Sequence, residues 1–178
     1  MKVAGARVSV PLYLTEQVRT LGTFGCLLLA QPWLSLAPRG DGQPVIVMPG
    51  FAAGDFSTAP LRGYLRGLGY QADGWGLGLN VGPTRRVLNG LRPMVEDLAQ
   101  RTGQPVALVG WSLGGIFSRL VARQVPESVS QVITMGSPFR YRYHEPVRGV
   151  DKINQLLGWH APRTEWPEEE RNLPPLPV

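Results

Sequence analysis

The segment that most constrains this chain is VALVGWSLGG, residues 106 to 115. Val106, Ala107, Leu108 and Val109 form a continuous apolar run, the pattern of a buried strand. It breaks at Gly110-Trp111-Ser112-Leu113-Gly114, and from Gly115 an apolar, helix-like segment begins. The order is therefore strand, tight turn, helix, with a serine at the turn. Glycines on both sides of that serine leave room for a backbone conformation that bulkier neighbours would block.

The same alternation runs along most of the chain. Residues 12 to 31 are expected to form a first helix, with Pro32 helping to end it, and Pro38-Arg39-Gly40-Asp41-Gly42 a turn. PVIVMPGF, 44 to 51, is a second buried strand that enters a tight loop at Pro49-Gly50. A helix is predicted over 58 to 69, capped by Ser57 or Thr58, with Pro60 in its first turn and Leu61, Leu65 and Leu68 on one face. YQADGWGLG, 70 to 78, suits a strand that runs into a flexible loop. Over 84 to 102, Val87, Leu91, Val95 and Leu98 recur at helical spacing, and Pro93 predicts a kink or two short helices. Strands at 105 to 110 and 129 to 135 flank a helix at 114 to 124. Four nearly apolar strands alternating with helices imply an α/β protein, a three-layer αβα sandwich with a mainly parallel sheet covered on both faces.

Three regions follow from this pattern: an N-terminal helical segment over 1–41, a core over 42–139, and an irregular C-terminal segment over 140–178. The last holds one short predicted helix at 151–157, acidic residues between Glu165 and Glu170, and a proline-rich end.

Composition removes several function classes. With 43% apolar and 17% charged residues in 178, the chain can bury a single-domain core. The net charge of +5 comes from dispersed arginines, among them Arg62, Arg66, Arg85, Arg86, Arg92, Arg101, Arg119 and Arg123. No dense basic patch interleaved with aromatics exists, so no nucleic-acid partner is expected. A single cysteine, Cys26, excludes an intramolecular disulfide and reads as a buried thiol. Two histidines without clustered carboxylates argue against a metal site. The run LGTFGCLLLA, 21 to 30, is too short to span a bilayer and lacks a cleavage pattern. A packed helix is one reading, and an interfacial helix in peripheral contact with membrane or lipid the other. The expected location is the cytoplasm, with membrane association as the alternative.

The serine turn is the place where chemistry can occur. A serine hydroxyl is a poor nucleophile at neutral pH and needs a base, usually an imidazole held by a carboxylate. The amides and positive end of the following helix would face developing negative charge. The competing reading is that Ser112 merely caps that helix, worth about 1 kcal/mol, although the additional glycines do nothing for a cap. A second element, Met48-Pro49-Gly50-Phe51, lies in the loop after an earlier strand. The amide of Phe51 is the candidate partner of the Leu113 amide in an oxyanion hole. Asp55, close by, either reaches the same cleft or serves as a surface or capping residue.

Taken together, PVIVMPGF, STAPLRGYLRGLGY, the W-G-L-G loop, VALVGWSLGG and VITMGSPF resemble the α/β-hydrolase family, in particular its lipase and esterase branch, over residues 42 to 139. The resemblance implies a partial α/β-hydrolase fold with Ser112 as nucleophile, Phe51 and Leu113 as oxyanion-hole amides, and Gly136-Ser137-Pro138 at the cleft edge. It implies no cofactor and no metal. In that family the acid and then the histidine follow the serine in the chain, but the strands that would carry them are not evident here. His160 and His144 are the candidate bases, with Asp151 or Glu165 able to orient either. Phe51, Phe56, Trp111, Leu113 and Phe139 near the motifs favour a small apolar ester or lipid substrate cleaved through an acyl-enzyme. Without the last strands, a C-terminally shortened chain is expected to turn over weakly or not at all, and to self-associate through an exposed sheet edge. The alternative function is a non-catalytic α/β-hydrolase-like binding protein.

Overall fold

The computed structural model describes residues 30–137. The chain divides into two compact units, Met1–Pro38 and Arg39–Val178. In the first, the described part holds one short helix, α1 (Gln31–Leu34). Pro32 lies inside α1, whereas the sequence placed it at a helix end. A first-turn position needs no backbone N–H, so proline is accommodated there. The rest of the expected 12–31 helix, including Cys26, lies outside the described residues.

The second unit runs β1 (Pro44–Met48), α2 (Asp55–Gly67), β2 (Gln71–Gly74), α3 (Arg85–Thr102), β3 (Val106–Trp111), α4 (Leu113–Gln124), a 3-10 turn (Pro126–Ser128) and β4 (Val129–Met135). The four strands form one parallel sheet in the order β2-β1-β3-β4. Each parallel connection carries a helix, which is the return path such pairing requires. The α/β architecture with a parallel sheet between helical layers is therefore the one that the alternating pattern predicts.

Period-two alternation sorts the strand side chains between two layers. On one face Ile46, Met48, Val106 and Leu108 pack with Val87, Leu91, Val95 and Leu98 of α3 and with Phe117, Leu120 and Val121 of α4. Trp75 closes this layer, stacked on Phe117 with ring centroids 6.3 Å apart, while its indole N–H donates to the Gly78 carbonyl at 2.8 Å. On the other face Val45, Val47, Ala72, Ala107 and Val109 meet Leu61, Leu65 and Tyr70.

Two local expectations are corrected. Helix α2 starts at Asp55 and is capped by the Gly54 backbone, not by Ser57 or Thr58. Those two hydroxyls donate instead to the carbonyls of Gly54 and Asp55, three residues back. Helix α3 is one helix through Pro93, not the two short helices also expected, with Thr84 capping its start by accepting from the Val87 amide at 3.3 Å. Asn89 and Pro93 are both exposed, so the carbonyl that proline leaves without a helical donor is open to water. Among the described residues, cover is thinnest over β4. Ile133 and Met135 of β4, on the α2 side, are 46% and 38% exposed.

Candidate active site

After β1 the chain goes outward to β2 on one side, then crosses to β3 on the other. The carboxyl ends of β1 and β3 therefore flank a point where strand order reverses, and loops leaving in opposite directions open a crevice there. The loop after β1 contains Phe51, and the turn after β3 contains Ser112.

Ser112 has φ 51° and ψ −115°, and with Ala52 (φ 58°) it is one of two non-glycine residues with positive φ among the described residues. Such a conformation costs of order 1–3 kcal/mol and persists only where the surroundings enforce it. Three hydrogen bonds do so. The Ser112 amide donates to Met135 O at 2.8 Å, while its carbonyl accepts from the Gly115 amide at 3.1 Å and from Ser137 Oγ at 2.7 Å. Glycines supply the space. A Cβ at Gly110 would run into the backbone of Gly114 and Gly115, one at Gly114 into the carbonyls of Met48 and Pro49, and one at Gly115 into Ser137 Oγ. Although Ser112 occupies the N-cap position of α4, its side chain makes no capping hydrogen bond. The capping alternative therefore loses its physical basis.

The loop after β1 comes up against this turn. A Cβ at Gly50 would stand 3.4 Å from both Ser112 Cβ and the Trp111 carbonyl. One residue holds the loop, and no motif in the sequence marks it. Asn80 is buried, and its Nδ2 donates to Pro49 O at 2.8 Å. Its backbone carbonyl accepts from the Ala52 amide at 2.7 Å, and its backbone amide donates to Ala53 O at 2.8 Å. The remaining side-chain oxygen accepts from the Gly82 amide at 3.2 Å. Among the described residues, no backbone acceptor takes the amide of Phe51 or of Leu113. Leu113 opens α4, where the first amides have no helical partner.

The other sequence candidates separate. Asp55 does not serve the crevice. Its carboxylate accepts from the amides of Trp75 at 2.9 Å and Gly76 at 3.0 Å, and so fixes the end of β2 to the start of α2. Phe51 and Leu113 are half-buried, whereas Trp111 is 47% and Phe56 94% exposed. His144, His160, Asp151, Glu165 and Phe139 lie outside the described residues. Among the described residues there is no cluster of metal-ligating side chains, and no helix is long and apolar enough to cross a membrane.

No established family profile matches the chain. Two curated proteins are similar in sequence, both pimeloyl-[acyl-carrier protein] methyl ester esterases. The one from Aliivibrio fischeri is 35% identical over 60 residues, 34% of this chain and 23% of that protein. The one from Sodalis glossinidius is 37% identical over 51 residues, 29% of this chain and 20% of that protein. The match thus spans less than a quarter of either relative. Among solved structures, the mature Bacillus licheniformis lipase BlEst2 aligns with a TM-score of 0.46 and 21% identity, over 58% of this chain and 44% of the lipase. An α/β hydrolase from a lagoon-sediment metagenome, MGS-MChE2, aligns with a TM-score of 0.46 and 21% identity, over 67% of this chain and 52% of its own. In its strand order and in the strand–turn–helix unit at its switch point the chain resembles α/β hydrolases, and over these short stretches it is similar in sequence to esterases.

Proposed function

We propose that the chain is a serine hydrolase of carboxylic esters, with Ser112 as nucleophile. The observation that carries this reading is the backbone of Ser112, held at positive φ beside the β1 loop while its hydroxyl takes no part in capping α4. Strain that stability does not require is most simply explained by what it presents, a hydroxyl lifted out of the turn. In the first step Ser112 Oγ bonds to the ester carbonyl carbon and gives its proton to a base. The carbonyl oxygen takes up the negative charge, stabilised by the amides of Phe51 and Leu113. The C–O bond to the alcohol then breaks, and the alcohol leaves with the proton from the base. Water reverses the sequence to release the acid. His160 and His144 are the candidate substitutes for the family's base, and both lie outside the described residues.

The names of the curated relatives specify a methyl ester of an acyl group carried on a protein. A small alkyl ester of an apolar acyl chain is accordingly the substrate class we propose. The half-buried, apolar Phe51 and Leu113 beside Ser112 support an acyl chain over a charged group.

The test compares p-nitrophenyl butyrate hydrolysis and fluorophosphonate labelling of the purified chain with those of Ser112→Ala. Loss of labelling, with hydrolysis down by three or more orders of magnitude (the order expected for a missing nucleophile), supports the reading. Equal rates in the two proteins, with no labelling of the unaltered chain, would leave a hydrolase scaffold that binds without catalysis.

A further inference from the structure

We infer that Asn80 is a positioning residue for the ester-cleaving site, acting through the loop after β1 without touching substrate. This inference rests on the proposed hydrolase reading and adds to it the group that sets the oxyanion loop.

Asn80 makes four hydrogen bonds, two of them to the residues on either side of the Gly50-Phe51 pair. Its amide Nδ2 grips Pro49 O, on the near side. Its backbone carbonyl takes the Ala52 amide, on the far side. Between those two anchors lie only Gly50 and Phe51. Ala52 is held at φ 58° by this arrangement, and an alanine adopts that conformation only under constraint. The Asn80 backbone amide to Ala53 O extends the grip by one residue, and the bond from the Gly82 amide orients the side chain so that its N–H, not its oxygen, faces Pro49. The residue is fully buried, so water cannot replace these bonds cheaply.

The chemistry turns on the direction in which the Phe51 amide points. An oxyanion donor acts only if it is aimed at the place where charge develops, and removing one such donor lowers kcat by about 10² to 10³. A loop released from Asn80 keeps the donor but loses its aim. Because the charge arises in the transition state, the loss falls on kcat and leaves KM nearly unchanged. Asn80→Asp separates aim from space-filling. It keeps the shape and the acceptor for Gly82 but replaces the Nδ2 donor with an oxygen facing the Pro49 carbonyl.

The experiment measures kcat, KM, active-site titre and thermal unfolding for the unaltered chain, Asn80→Ala and Asn80→Asp. Amide hydrogen exchange at Ala52 is followed in parallel. Expected are kcat per titrated site lower by about 10- to 100-fold in both variants, KM within about twofold, and faster exchange at Ala52 with β3 amides still protected. Full kcat per titrated site in Asn80→Asp, or unchanged exchange at Ala52 in Asn80→Ala, would overturn the inference. Should the Asp variant fail to fold, Asn80→Ala alone carries both readouts. Absence of Ser112-dependent turnover in the unaltered chain would remove the hydrolase reading and this one with it. Turnover that survives both Asn80 variants would remove only this one.

Discussion

The loops that leave β1 and β3 reach the same crevice and share one unusual property, a non-glycine residue at positive φ, yet they are held by different means. The β3 turn is shaped by the absence of side chains. Gly110, Gly114 and Gly115 each stand where a Cβ would strike backbone or Ser137, so the strand and helix close on Ser112 from both sides. The β1 loop is tied down by one residue, Asn80, through one side-chain and two backbone hydrogen bonds. Steric shaping is short-range and unforgiving. Polar anchoring acts at a distance in sequence, and each bond lost subtracts a modest amount.

That difference ranks the outcomes of substitution. Gly114→Ala is expected to be the most damaging, by about 3 kcal/mol or more, since its methyl group meets two carbonyl oxygens on a neighbouring strand end that cannot step aside. Urea denaturation measures it, and a loss under about 1 kcal/mol would show that the turn is softer than its packing suggests. Asn80→Ala should lower stability by about 1–3 kcal/mol by leaving Pro49 O buried without its donor. A loss equal to that of Gly114→Ala would erase the contrast between the two loops. Ser137→Ala removes one of two donors to the Ser112 carbonyl, and the Gly115 amide remains, so about 1 kcal/mol is expected. Ala52→Gly is the smallest change and opposite in sign. Relief of the positive φ should raise stability by up to about 1 kcal/mol, seen as a higher urea midpoint. A lower midpoint would mean that the Ala52 methyl group makes packing contacts that outweigh its strain.

The same contrast explains what was legible in the sequence. The serine and glycines of the β3 turn lie within ten consecutive residues, so the strand–turn–helix unit is legible directly, whereas Met135 and Ser137, which hold the Ser112 backbone, are not. Phe51 could be located because Pro49-Gly50 marks a turn after an apolar run. Asn80 could not. Its bond to Pro49 spans 31 residues, and a lone asparagine among glycines reads as one more turn former. Asp55 was read in two ways for a similar reason, since its partners Trp75 and Gly76 are twenty residues away. The start of α2 is not legible because Gly54 supplies no side-chain cap, and the continuity of α3 through Pro93 is not legible because solvent exposure of Asn89 is a tertiary fact. The apolar run of β4 looked like its neighbours, but burial depends on which helices cross it, and that information is absent from the strand itself.

The bonds around Ser112 also impose an order in time. Its amide and carbonyl are held by Met135 and Ser137, the latter 25 residues further on. At synthesis rates of about 5–20 residues per second, Ser112 leaves the peptidyl-transfer centre roughly one to five seconds before Ser137, which clamps its carbonyl. Until β4 docks, the β3 segment is an ordinary nascent strand with a serine at its end. A newborn chain therefore carries Ser112 without two of the bonds that fix its backbone, and the full clamp on its positive-φ conformation is in place only once the following strand has joined the sheet.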